Sequence, residues 1–316
     1  MKRALPIVAV LLVLLAAIAV ANPFFLEPAG FLAFLKRAAP LVILAAGQYF
    51  VIVSGEFDLS VGSLVTAEVV IAARLIDGDE SATWPVLALL TAVGLFVGLI
   101  NGVITTKLRV PSFIVTLGML LILSGAVFLW TGGAPRGALS EGFRALGRGG
   151  LGPVPWSVLI LLAGGAAAIL LMRADFGKTL IATGDNERAA ALSGVRVHRA
   201  KIFAFMLSGL AAAVAAILLG GFAGVSAQVG QGLEFSAITA VVLGGVVLGG
   251  GRGSVLAAMA GAFTLEALFT LLNLYGISGE LEFTVQGVII IAAVAAGAIR
   301  LPRTFTPRKG DAHAAS

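Results

Sequence analysis

The sequence has no cysteine, which removes disulfides, thiolate nucleophiles and thiolate metal sites together. Its two histidines, His198 and His313, both fall in polar segments, so metal or redox chemistry has no candidate ligand set. Charge is scarce as well: Asp, Glu, Lys and Arg make up 12% of the residues, where a soluble domain carries roughly a quarter. Hydrophobic residues fill 59% of the chain instead.

Apolar runs such as 5–21, 84–106 and 201–222 approach or exceed the roughly 20 residues with which an α-helix crosses about 30 Å of hydrocarbon. A β-barrel would show short alternating segments. The chain is therefore expected to be an all-α membrane protein of about ten spans, with short or broken helices at glycine-rich segments. The spans are placed at 5–21, 38–54, 60–76, 84–106, 112–131, 154–172, 201–222, 235–248, 254–275 and 282–299. The longest polar stretches, 132–153 and 173–200, are too small to hold a core, so 1–316 forms one domain.

The formal charge of +5 bears on topology rather than on nucleic acid, because lysine and arginine collect in cytoplasmic loops. An even number of spans with the N-terminus inside puts Lys107, Arg109, Arg173, Lys178, Arg188, Arg196, Arg199, Lys201 and Arg252 on the inner side, with the basic residues of both termini. The outer side keeps Lys36, Arg37, Arg74, Arg136, Arg144 and Arg148. Both termini are expected in the cytoplasm, and the cytoplasmic tail spans about 300–316. Lys2-Arg3, an apolar run and Ala19-Val20-Ala21 imitate a secretory signal, but that run is longer than the roughly 7–15 residues of a signal core, so the segment is expected to stay as the first span.

Gly94, Gly98 and Gly102 recur every four residues and share one helix face, where a neighbouring backbone can approach closely. Gly244-Gly245 and Gly249-Gly250-Gly251-Arg252-Gly253 leave only a short apolar piece before them, as a partial or re-entrant helix would. A second break runs from Ser54 to Ser63, where Asp58 or Ser60 can cap the following helix or line a pathway. The two breaks lie in opposite halves of the chain, as internal repeats of the transporter kind would place them.

No motif for nucleotide hydrolysis is complete. Gly177-Lys178-Thr179 resembles the end of a Walker A loop, but Met172 stands where its first glycine belongs. As ionisable groups at mid-membrane the chain offers Glu68 and Glu266, with Gln48, Asn101, Asn273 and Gln286 as neutral polar residues, and no intramembrane lysine or arginine is an obvious partner. Two glutamates are few for a proton relay, so an ion-coupled secondary transporter is the weaker alternative. An enzyme would need a nucleophile, a base and an orienting group that converge, and none is evident.

One inner-side segment stands out. Asp185 is a candidate N-cap, Glu187 sits in the first turn, and Gly194 can end the helix in the left-handed conformation. Asn186, Ala190 and Ser193 share a face. So short a helix is marginal alone and needs a partner to pack on. Arg188, Arg196, Arg199 and Lys201 beside it can pair with acidic groups of that partner or with lipid headgroups.

Taken in order, Asp58-Leu59-Ser60-Val61-Gly62-Ser63, Asn101-Gly102, the run from Arg109 to Met119 that includes Thr116, the run from Gly184 to Gly194, and Ala240 to Gly245 followed by Gly250 to Ser254 resemble the permease subunits of ATP-binding cassette importers of the ribose and simple-sugar type. The resemblance covers about 38–299. It implies a multi-pass inner-membrane permease for a sugar such as ribose, or for a nucleoside or other small polar solute of the same importer class. It also implies a second permease copy (homodimer or paralogous heterodimer), separate ATPase subunits that bind the ATP and Mg, and an extracytoplasmic solute-binding protein. The chain itself would carry no cofactor and no catalytic residue.

In that family the segment matching Gly184 to Gly194 is the coupling helix that docks the ATPase, here Gly184, Asp185, Asn186, Glu187, Arg188, Ala190, Ser193 and Gly194 within a coupling segment of about 175–200. Asp58, Ser60, Glu68, Asn101, Thr116, Gly244, Gly245, Glu266 and Asn273 are the candidate pathway or gating residues. One departure is visible: Glu56 stands where the family usually has glycine, and it adds like-charge repulsion or a cation site beside Asp58.

Overall fold

The computed structural model describes residues 5–277 and 280–298. The expected tail and the Lys2-Arg3 pair lie outside the described residues. The chain is helical nearly throughout: α1 Leu5–Ala21, α2 Pro28–Val53, α3 Val61–Ile76, α4 Thr83–Lys107, α5 Ser112–Thr131, α6 Glu141–Arg148, α7 Trp156–Arg173, α8 Asp175–Asp185, α9 Glu187–Leu192, α10 Val197–Ala223, α11 Leu233–Leu243, α12 Val255–Leu274 and α13 Glu280–Ala298. Among the described residues the other regular elements are short 3-10 turns at Pro23–Leu26 and Glu80–Ala82 and a two-residue hairpin pairing Gly150–Leu151 with Val154–Pro155, and the longer loops are 54–60, 132–140, 224–232 and 244–254.

Each expected span has a helix, and six of those among the described residues are long and apolar enough to cross a membrane. Two expectations shift. α2 starts at Pro28, ten residues ahead of the expected position, because proline at the first helical position is preorganised there, so Lys36 and Arg37 ride on the helix rather than in a loop. α11 has only 11 residues, about 16 Å at 1.5 Å per residue, so it is a partial helix as its flanking glycines suggested.

Backbone contact between small residues draws the bundle together. A Cβ at Gly94 would meet the carbonyl of Gly209, one at Gly98 the carbonyl of Phe205, and one at Gly102 the backbone of Ile202, so the glycine face of α4 is where α10 lies against it. Gly209, the reciprocal contact, carries no periodic signal of its own. α3 and the second half of α2 are buried almost throughout, whereas α5 buries only Ser112, Thr116 and Val127 and turns Phe113, Ile114, Leu121, Ile122 and Phe128 outward.

The bundle has two polar ends. At one, Thr83 and Ser140 share a 2.6 Å hydrogen bond, Arg148 donates to the carbonyl of Phe222, and Lys36 donates to the carbonyl of Arg148. At the other, the ends of α2 and α8 meet the starts of α3, α5 and α10 and the glycine loop after α11. Among the described residues, Lys36, Arg37, Arg74, Arg136, Arg144 and Arg148 lie toward the first of these ends, and Lys107, Arg109, Arg173, Lys178, Arg188, Arg196, Arg199, Lys201 and Arg252 toward the second.

Replacing Gly98 with leucine is expected to destabilise the purified chain by about 1–3 kcal/mol through overpacking at α10. Gly118→Leu on α5, where a Cβ would meet nothing within 4 Å, is expected to be near neutral. Thermal unfolding in detergent separates the two, and equal losses would contradict the assignment of close packing to the α4 face.

Candidate functional site

Three segments converge beside α9. Val53 closes α2 and accepts a hydrogen bond of 2.8 Å from the amide of Gly251, so the two glycine-punctuated breaks touch directly. A Cβ at Gly250 would strike Gly55 and Gly184, one at Gly251 the backbone of Asp185, and one at Gly184 the carbonyl of Val53. Side chains at these positions would hold the α2 end, the α8 end and the glycine loop apart.

α9 is capped at both ends, and its N-cap is not Asp185. Asp185 is the last residue of α8, and Asn186 takes extended backbone and accepts a hydrogen bond of 2.9 Å from the Ala189 amide. The shorter reach of the helix follows from Asn186 breaking the α8 run one residue later than expected. Gly194 ends it as expected, at φ +82, with Val195 donating to the Ala190 carbonyl and Gly194 to that of Ala191, the paired bonds of a left-handed helix stop. Ala190 alone of the expected face is buried against the protein, and Asn186, Arg188, Ser193 and Leu192, the last 85% exposed, face outward.

Glu187 is not free for a partner. Lys201, on the first turns of α10 and 8% exposed in its side chain, donates at 2.8 Å to Glu187 and at 2.6 Å to Glu56. The cation beside Glu56 is therefore the protein's own Lys201. The expectation that Lys201 serves lipid or a partner is corrected for the same reason: at 2.6 and 2.8 Å both carboxylates belong to its own chain. Arg252 approaches Asp185 at 4.0 Å, with both side chains largely exposed.

Two residues past Glu56 the polar network turns inward. Asp58, 1% exposed, accepts from the amide and hydroxyl of Ser60 on one oxygen (3.0 and 2.6 Å) and from the hydroxyl of Ser208 on the other (2.8 Å). Asn101 donates to the Ser60 hydroxyl at 2.9 Å. Neither Asp58 nor Ser60 supplies a side-chain cap to α3, because the Ser60 hydroxyl is spent on Asp58. Thr116 donates to the carbonyl of Ser112, and Ser112 accepts the amide of Phe57 at 3.1 Å, which ties the start of α5 to the same turn. Ser208 was not legible beforehand: it is one serine in an apolar helix, 150 residues from Asp58.

The remaining candidates scatter. Glu68 is fully buried in α3, and its carboxylate has no hydrogen-bond partner among the described residues. Gly244 lies against the carbonyl of Ala257, the close approach expected of a packed half-helix, whereas a Cβ at Gly245 would meet nothing within 4 Å and its constraint is a φ of +78. Glu266 and Asn273 sit at the opposite end: Glu266 pairs with Arg37 at 3.2 Å, correcting the view that it has no cationic partner, and Asn273 donates to Glu282 at 3.1 Å. They line a separate cavity of about 450 Å³ at that end with Phe25, Phe34 and Phe269.

The sequence is similar to known proteins along most of its length. The chain matches the family model described as branched-chain amino acid transport system / permease component over residues 30–294. It is 36% identical over 293 residues to the ribose import permease protein RbsC of Bacillus subtilis (strain 168), spanning 90% of this chain and 89% of that protein. The RbsC of Escherichia coli (strain K12) is 36% identical over 292 residues, 90% of each chain. The autoinducer 2 import system permease protein LsrC of Klebsiella pneumoniae subsp. pneumoniae is 36% identical over 259 residues, 80% of this chain and 74% of that protein. No solved structure matches the chain.

Removing the shared cation alone, Lys201→Met, strands Glu56 in a largely buried place and is expected to cost about 2–4 kcal/mol. Adding Glu56→Gln to that variant is expected to recover most of the loss. Thermal unfolding of the purified chain checks both, and a Lys201→Met protein as stable as the parent would contradict the pairing.

Proposed function

Because the chain belongs to the family of branched-chain amino acid transport system permease components, we propose that it is the transmembrane subunit of an ATP-binding cassette importer for a sugar such as ribose, resident in the inner (plasma) membrane and not itself an enzyme. Residues 1–316 act as one permease domain with both termini in the cytoplasm. Two copies enclose the pathway, separate ATPase subunits with their own ATP and Mg bind below, and an extracytoplasmic solute-binding protein delivers the solute from above.

The observation that carries the reading is α9. A six-residue helix capped at both ends, with one buried alanine and an exposed leucine, has a fixed shape and an outward face that no other described residue covers. A helix this short is held by tertiary contacts, here Ala190 beneath and the Lys201 pair at its first turn. Docked in an ATPase cleft, it would pass a displacement through Glu187 and Lys201 to Glu56, and so to the turn that carries Asp58 and Ser60. ATP can bias the two states of such a gate only as far as the ATPase binds one better than the other. Four residues named for docking, Asn186, Arg188, Ser193 and Gly194, lie on the exposed side, while Gly184, Asp185, Glu187 and Ala190 hold the helix in place.

Leu192→Asp is expected to abolish co-purification of the ATPase and to lower ribose uptake by about tenfold or more, since a charge placed in an apolar docking contact is costly to desolvate. Membrane insertion should be unaffected because Leu192 makes no contact that the fold needs. Normal uptake with the ATPase still bound would refute α9 as the docking element.

A further inference from the structure

Between α3, α5 and the segment that leads into α11 lies a cleft of about 430 Å³, within the roughly 300–1,000 Å³ typical of small-molecule sites. Its inner wall is buried: Ser63 and Thr66 from α3, and Glu234 from the first turn of α11, 7% exposed. Its outer wall is open and carries Ser124, Gln228 and Gln231. None of these six was a candidate from the sequence, since serine, threonine and glutamine scattered over three segments make no motif. The fold brings them together because the chain after α10 turns back at Gly224 and descends until Gly230 lies on Gly62, where its amide donates to the Thr66 hydroxyl at 3.0 Å.

We infer that this cleft is the compartment in which the permease itself contacts its solute, and that the solute is a neutral polyhydroxylated molecule held chiefly by Glu234; the inference rests on the sugar-importer reading above. The chemistry of the lining selects the class. The hydroxyl protons of Ser63 and Thr66 are committed to the carbonyls of Ser60 and Gly62, so the Ser63 oxygen can act only as an acceptor, while that of Thr66, which already takes the Gly230 amide, keeps a single lone pair. The Glu234 carboxylate stands on the buried wall beside the backbone amides that open α11, and a carboxylate in that place accepts from the hydroxyls of a diol. Gln228 and Gln231 supply donors and further acceptors, and Val127, Leu120 and Phe128 give an apolar surface for the carbon face of a sugar ring. No lysine or arginine lines the cleft, so a carboxylate or phosphate would meet Glu234 with no compensating cation. Amino acids and sugar phosphates are therefore poor occupants, whatever the family's name.

The cleft also stands next to the gate. Ser63 donates to the carbonyl of Ser60, whose hydroxyl is bonded to Asp58, and Asp58 follows Glu56 on the same turn. Movement of that turn would shift the inner wall against Gln228 and Gln231 and open the site in one direction at a time.

The test uses the complete importer, permease with its ATPase and binding protein, reconstituted in liposomes with radiolabelled ribose, and reads sugar moved per ATP hydrolysed. Glu234→Gln, and independently Gln231→Leu on the exposed wall where folding is not at stake, are expected to lower that ratio about tenfold or more, because a site built to bond hydroxyls loses discrimination when an acceptor is removed. If the parent importer moves ribose and both variants move it at the parental ratio, the cleft is not the contact site although the permease reading stands. If the variants lose assembly of the complex instead, the cleft is a subunit contact and the inference falls. If the parent importer moves leucine and no neutral sugar, both this inference and the sugar reading fail.

Discussion

One buried ammonium joins two parts of the chain that sequence separates widely. Lys201 reaches Glu56 at 2.6 Å and Glu187 at 2.8 Å, so the α2–α3 turn, the short helix α9 and the foot of α10 are fixed to one point. A charge taken out of water is expensive unless it is well paired, and this one has two carboxylates, one of them still half in solvent. The arrangement gives geometry more than stability. It makes α9, otherwise too short to hold itself, a rigid extension of the turn that carries Asp58 and Ser60.

The second constraint is close backbone packing. Glycines at 55, 184, 250 and 251 let three chain ends meet where any side chain would hold them apart, and the glycine face of α4 does the same along α10. Stiff contacts of this kind are bistable rather than elastic, which suits a gate that must be either open or shut. If the proposed docking at α9 holds, a nucleotide-driven movement there would have a short route inward: the Lys201 pair, the Phe57–Ser112 bond, the Asp58 network and the wall of the polar cleft. The proposed solute site lies at the end of that route, so solute and nucleotide could sense one another through a handful of named contacts.

Much of the architecture was legible because it rests on local signals. Apolar length marked each span, the Gly94, Gly98, Gly102 spacing marked a packing face, and Asn186 to Gly194 carried the capping residues of α9, although which residue capped it was off by one. The functional contacts were less legible for a simple reason: they join residues far apart in sequence. Nothing near Glu56 announces Lys201, 145 residues on, and nothing near Glu266 announces Arg37. Gly245 looked like a packing glycine and is a conformational one, a distinction that only φ and the empty space around it reveal. Glu234 was overlooked because its environment, not its neighbours in sequence, makes it unusual.

The central claim, that α9 and the α2–α3 turn move as one body, is tested most directly by a distance. Because the chain has no native cysteine, Ala191 on α9 and Phe57 can each be replaced with cysteine, spin-labelled, and measured by pulsed electron paramagnetic resonance in the assembled importer with and without ATP, with ATPase co-purification checked first. The account predicts a single narrow distance that stays the same in both states. A distance that changes or splits when ATP binds would contradict it.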